Sequence, residues 1–208
     1  MAIANELAER LAELSEKPVT VAINHLRNLR DAGFITKAGR GASAAAMTIG
    51  DAVMLILAMA GTERLKDSAD VAKVLSSLRC VGRSQIWQRK EYREPLSVLP
   101  LDDNHSLAEA LHSLFEISAV AIGLETENVS KSGILWRVES SRVPDIRVSI
   151  VINYPTFSAS ISIELPRLVR ENLSYGHLRK TAADPEFTRS CRFGRTTLDE
   201  LNRLVLRS

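Results

Sequence analysis

Arg27 follows Asn24 by three residues and precedes Asn28, and Thr20 lies four residues before Asn24. In a helix these side chains share one polar side. A guanidinium forks onto O6 and N7 of guanine, a carboxamide pairs bidentately with adenine, and a hydroxyl serves either base. Having both kinds of group about one turn apart is the chemistry of reading base edges in the major groove. Lys17 and Lys37 flank the stretch and are placed to neutralise phosphates. Arg40 stands between Gly39 and Gly41. Glycines let backbone approach closely, so this side chain has reach to a phosphate or into the minor groove. His25 has two readings from sequence, a DNA contact or a half-buried packing residue.

Something must hold those groups rigid. Leu7, Leu11 and Leu14 recur at helical spacing with Ala4 and Ala8 beside them, so a first helix is expected from Ile3 to Leu14. Ser15-Glu16-Lys17-Pro18 breaks it. A second helix is expected from Val19 or Thr20 to Ala32, with Ala22, Leu26 and Leu29 as its buried stripe. Gly33 ends it, because glycine adopts the left-handed cap without penalty. Phe34-Ile35-Thr36 reads as a short strand, Gly39-Arg40-Gly41 as a turn, and Ala44 to Met47 as a weak returning strand. Thr48 followed by Asp51 is a capping-box variant. It opens a helix from Asp51 to Ala60 that is apolar nearly all round, which demands central burial or a subunit interface.

The order helix, turn, helix, strand, glycine-flanked arginine, strand is that of a winged helix-turn-helix. The run His25-Leu26-Arg27-Asn28-Leu29-Arg30-Asp31-Ala32-Gly33-Phe34-Ile35 resembles the H-L-x-x-L-R-x-A-G-L-[VI] signature of ArsR-type winged-helix repressors. It is similar, less closely, to the MarR and IclR types. The resemblance covers roughly Ile3 to Ala60. It implies a DNA-reading helix carrying Asn24, His25 and Arg27, a wing at Arg40, and dimerisation through the helix after the wing. This chain departs from the pattern in its alanine-rich wing (Ala42, Ala44, Ala45, Ala46). It also lacks a cysteine or histidine cluster for sensing metal, and its C-terminal half has no counterpart in the minimal family.

Beyond residue 60, a helix is expected from Ser68 to Leu78. A turn-rich connection follows, with one strand near Ser84 to Trp87, and then a helix from Ser106 to Ile122. Ile134 to Val138 suggests a strand. Ile146, Val148, Ile150 and Ile152 alternate with polar residues, as do Phe157, Ala159, Ile161, Ile163 and Leu165, which predicts two half-buried strands. Tyr154-Pro155-Thr156 between them predicts a hairpin. A strand within Phe187 to Phe193 and a helix from Thr197 to Leu206 close the chain. The fold class is therefore α+β, a winged helix-turn-helix followed by an α+β domain with a small antiparallel sheet. The divisions are 1–80 for DNA binding, 81–105 as connection, and 106–208 for oligomerisation, a partner or a ligand.

Composition bounds the rest. The 208 residues are 45% hydrophobic and 25% charged with net charge +2, so DNA affinity must come from a local patch. Two distant cysteines, Cys80 and Cys191, suggest buried thiols in a reducing cytosol. No basic n-region, long apolar segment, P-loop, dinucleotide fingerprint, H-E-x-x-H or G-x-S-x-G is present. His105 and His112 lack a third ligand at metal spacing, and Cys191 with His177 has no geometric reason to be a nucleophilic pair. The C-terminal tail is locally basic, a solvated surface or a second phosphate-contacting one. The serines at 149, 158, 160 and 162 read as the wet side of a sheet or a docking face. The sequence leads to the expectation of a cytoplasmic, non-enzymatic transcriptional regulator that binds double-stranded DNA as a homodimer. No metal, cofactor or membrane is expected, and a protein partner is a further option for the C-terminal domain. The alternatives are a phage or mobile-element DNA-binding protein acting in excision or packaging, and a winged-helix adaptor that docks proteins.

Overall fold

The computed structural model describes residues 4–36, 46–87, 99, 101–121, 146–165, 169–176 and 189–206. The first two helices, α1 (Ala4–Leu14) and α2 (Val19–Asp31), pack on each other. α1 buries Leu7 and Leu11 with Ala4, Ala8 and Ala12, and the alanines allow close helix approach. α2 buries Ala22, His25, Leu26 and Leu29. Both helices end in a Schellman motif. At α2 the left-handed residue is Gly33, φ 79°; its N–H reaches the Arg30 carbonyl at 3.1 Å, and the Phe34 N–H reaches that of Leu29 at 2.9 Å. At α1 the same position is held by Glu16, φ 54°, with Lys17 N–H on the Ala12 carbonyl at 3.0 Å.

The strand expected at Phe34-Ile35-Thr36 does not form. Phe34 and Ile35 are a bend. The Phe34 N–H closes the α2 cap, and the Thr36 N–H donates to Asp51 Oδ1 at 3.2 Å, so these donors do not enter a ladder. Residues 46 and 47 are not strand either, and Ala44 and Ala45 lie outside the described residues. Helix α3 (Ile49–Gly61) begins as expected: Thr48 Oγ1 accepts from the Asp51 N–H at 3.1 Å, and Asp51 Oδ2 accepts from the Thr48 N–H at 2.8 Å. From Asp51 to Gly61 only Met54 is not buried. The covering comes from within the chain, since α3 contacts every other helix and strands β2 and β5 defined below. Its apolar residues join the core cluster of the described residues.

A short 3-10 turn (Leu65–Asp67) leads into α4 (Ser68–Ser76). Strand β1 (Cys80–Trp87) follows, starting earlier than expected, and places an edge strand within the 81–105 segment. Then come α5 (Leu107–Ala121), β2 (Arg147–Tyr154), β3 (Ser158–Leu165), β4 (Val169–Tyr175), β5 (Arg189–Gly194) and α6 (Arg195–Val205). The five strands form one antiparallel sheet in the order β1-β4-β3-β2-β5. The β2–β3 hairpin is where the alternation placed it, with Ile150 opposite Ile161 and Ser149 opposite Ser162. One sheet face buries Ile150, Ile152, Ile161, Ile163, Leu173 and Tyr175; the other carries serines and Asn172. Buried side chains from the six described helices and from β2, β3 and β4 join in one cluster. Asn202 Nδ2 pins α6 to the Phe115 carbonyl of α5 at 2.8 Å, and Arg10 pairs with Glu200 across α1 and α6 at 2.5 Å.

Cys80 and Cys191 are half-buried rather than buried. They sit on opposite edge strands of the sheet, which separates the thiols. The strand expected at Ile134 to Val138 lies outside the described residues. No described helix is long and apolar enough to cross a membrane.

Candidate nucleic-acid interface

α2 has one wet side. Thr20 and Arg27 are exposed and Asn24 is half-buried, and Asp31 extends the same line at i, i+4, i+7 and i+11. This stripe is opposite the buried stripe of Ala22, Leu26 and Leu29. The helix opens at Pro18 with no side-chain cap and no acidic residue in its first turn. The Val21 N–H is taken by the Pro18 carbonyl at 2.9 Å, and the positive dipole end carries no side-chain cap, a favourable situation for a phosphate. The three groups with base-reading chemistry occupy the N-terminal and central turns, and Asp31 lies at the far end.

Three polar contacts fix α2 from its other sides. Lys17 Nζ donates to the Met59 carbonyl in the last turn of α3 at 2.7 Å. Asn28 Nδ2 donates to the Leu65 carbonyl at 2.5 Å. His25 Nδ1 meets Ser68 Oγ at 2.7 Å, while the Ser68 hydroxyl also faces the Leu65 carbonyl. Ser68 has one proton, and the carbonyl can only accept. The hydroxyl therefore donates to Leu65, which makes His25 the Nδ1–H tautomer donating to Ser68. That leaves the buried Nε2 as a lone pair without a partner among the described residues.

His25 is thereby corrected. Its ring is 0% exposed and no DNA atom can touch it. Burial, and secondarily the Lys17 charge, pushes the imidazole down to about 4, so it is neutral near pH 7. Lys17 and Asn28 are half-buried and engaged as described, which gives them positions as braces of α2. Lys37 and Arg40 lie outside the described residues. The structure thus gathers Thr20, Asn24 and Arg27 on one face and places His25 beneath them.

Sequence reasoning missed the braces Ser68, the Leu65 carbonyl and the Met59 carbonyl. Each lies about forty residues from its partner, and two are backbone groups that any residue would supply. Electrostatics are mixed. Over residues 4–36, Glu6, Glu9, Glu13, Glu16 and Asp31 stand against Arg10, Lys17, Arg27 and Arg30. Arg10 is tied to Glu13 and Glu200, and holds the Glu200 carboxyl below its usual range. The positive charge directed outward is therefore local to α2. Arg30 Nε, on the flank of the stripe, is buried without a partner among the described residues.

Among the described residues no group of three His, Cys, Asp or Glu side chains could hold a metal ion. Comparison with protein-family models, with characterised proteins and with solved structures found no match for the chain.

Proposed function

We propose that this protein binds double-stranded DNA and regulates transcription, with α2 as the reading helix of a winged helix-turn-helix. The observation that carries the reading is the stripe Thr20, Asn24 and Arg27, held on a helix braced at Lys17, His25 and Asn28. A helix braced on three sides presents its polar face without paying much ordering entropy on binding. Arg27 is the group for guanine and Asn24 the group for adenine. In this reading the chain between α2 and α3 supplies the wing, with Lys37 and Arg40 on phosphate or minor groove. The test is selection of the full chain against a pool of random duplexes. Enrichment of a defined sequence supports the proposal, and no retention of any duplex at low salt overturns it.

One observation favours a second reading. α1 exposes Glu6, Glu9 and Glu13 beside α2, a charge arrangement better suited to a basic protein partner than to phosphate. On that reading the module is an adaptor without DNA binding, and failure of the selection experiment would favour it.

A further inference from the structure

α1, α3 and β5 turn apolar residues toward one cavity of about 320 Å³. α1 contributes Leu11 and Leu14, and α3 contributes Ile56 and Met59, each pair three positions apart and so on one side of its helix. On β5, Cys191 and Phe193 stand opposite Ile152 and Ile150, which places both side chains on the inward face of the sheet. Helix and strand periodicity therefore agree, and the apolar lining converges. The charged residues at the margin do not join it. Lys17 Nζ donates to the Met59 carbonyl at 2.7 Å, and Glu16 is exposed. Arg192, opposite Val151, alternates onto the outward sheet face and is exposed there. The hydroxyl of Ser15, also at the margin, donates to the Leu11 carbonyl at 2.7 Å.

A cavity lined in this way selects a neutral apolar body, because a charged guest would lose hydration without gaining a partner among the described residues. An apolar cavity of about 150 Å³ holds benzene, so this one has room for a fused pair of rings. The lining also favours aromatic over saturated rings. The thioether of Met59, the thiol of Cys191 and the ring of Phe193 all make specific favourable contacts with an aromatic edge or face. We propose that this cavity binds a small neutral aromatic molecule the size of a fused ring pair, held between α3 and β5. The site uses none of Thr20, Asn24 and Arg27 and stands independently of DNA binding.

The experiment is isothermal titration calorimetry of the full chain with three ligands of matched shape: 2-naphthol, its saturated counterpart decahydro-2-naphthol, and 2-naphthoate. 2-Naphthol should bind at one site, about fivefold more tightly than the saturated alcohol, the scale of sulfur and ring contacts to an aromatic guest. The naphthoate should bind more weakly than 2-naphthol. Met59→Leu conserves volume, keeps the backbone carbonyl that Lys17 uses, and should reduce the preference for the aromatic alcohol. Thr197→Trp, which fills the cavity from α6, should abolish binding. A cooperative melt confirms that each variant is folded. The proposal is overturned by absence of saturable binding, by equal affinity for the two alcohols, by tighter binding of the naphthoate, by an aromatic preference unchanged in Met59→Leu, or by binding that folded Thr197→Trp retains.

Discussion

His25 and His105 are buried alike, at 0% and 4% exposure, yet their surroundings treat them in opposite ways. His105 Nδ1–H donates to the Asp102 carbonyl, so its Nε2 accepts from the Tyr175 hydroxyl at 2.8 Å. Burial pushes the Tyr175 phenol up, which keeps on it the proton it donates. Nearby, Arg83 Nε donates to the fully buried Glu171 at 2.5 Å and its terminal nitrogens to the carbonyls of Leu99 and Leu101 at 3.1 and 3.2 Å. On the sheet side, then, polar interior groups close a network. In the helical part His25 has, among the described residues, one partner and a ring nitrogen without one. A half-satisfied buried group stays neutral because charging it in place is costly. The comparison teaches that the His25 site gives the helical part a sensitivity to acid, while loss of a partner should be most damaging in the sheet.

The largest effect is expected from breaking the sheet network. Arg83→Met removes the cation from a buried carboxylate and should cost about 3–5 kcal/mol in urea unfolding. Next is the acid dependence. The unfolded imidazole takes its proton near 6.5 and the folded one only near 4. The contribution is therefore complete above pH 6.5 and lost as pH falls toward 4, by up to about 3 kcal/mol. His25→Leu should remove that part of the slope, measured as the difference between wild-type and variant stability across the window. An unchanged slope would mean that His25 is not the sensitive group. Tyr175→Phe leaves His105 Nε2 without its donor and should cost about 1–3 kcal/mol in urea unfolding. The smallest effect compares the two helix caps. Glu16→Gly places at α1 the residue that α2 already uses at Gly33, and should raise stability by about 1 kcal/mol or less in thermal melts.

What was legible in the sequence was local. The helix stripes, the Thr48–Asp51 capping box and the Gly33 stop depend on residues a few positions apart, and all are present. The β2–β3 hairpin was visible because both strands alternate cleanly. Strand β4 was hidden by Glu171, a charged residue at an inward position where Arg83, 88 residues away, pairs with it. The Phe34 strand was misread because Asp51 takes a donor that a ladder would have used. An all-apolar helix says that it is covered but not by what, so the elements that pack on α3 could be named only once they were placed. In the candidate site, the face shared by Thr20, Asn24 and Arg27 followed from helical periodicity. The burial of His25 did not, because Ser68 and Lys17 decide it in space.

The central claim, that the exposed stripe of α2 reads DNA, is tested most directly by the anisotropy of a labelled duplex titrated with wild type and Arg27→Ala. Arg27 is exposed, so the variant should melt as the wild type does. The duplex is the sequence enriched from the random pool, compared with single-base variants of it. Arg27→Ala is predicted to weaken binding by about 1–3 kcal/mol, roughly 5- to 150-fold, and to lose the preference at one base pair. A folded variant with unchanged affinity and unchanged preference at every position would contradict the account.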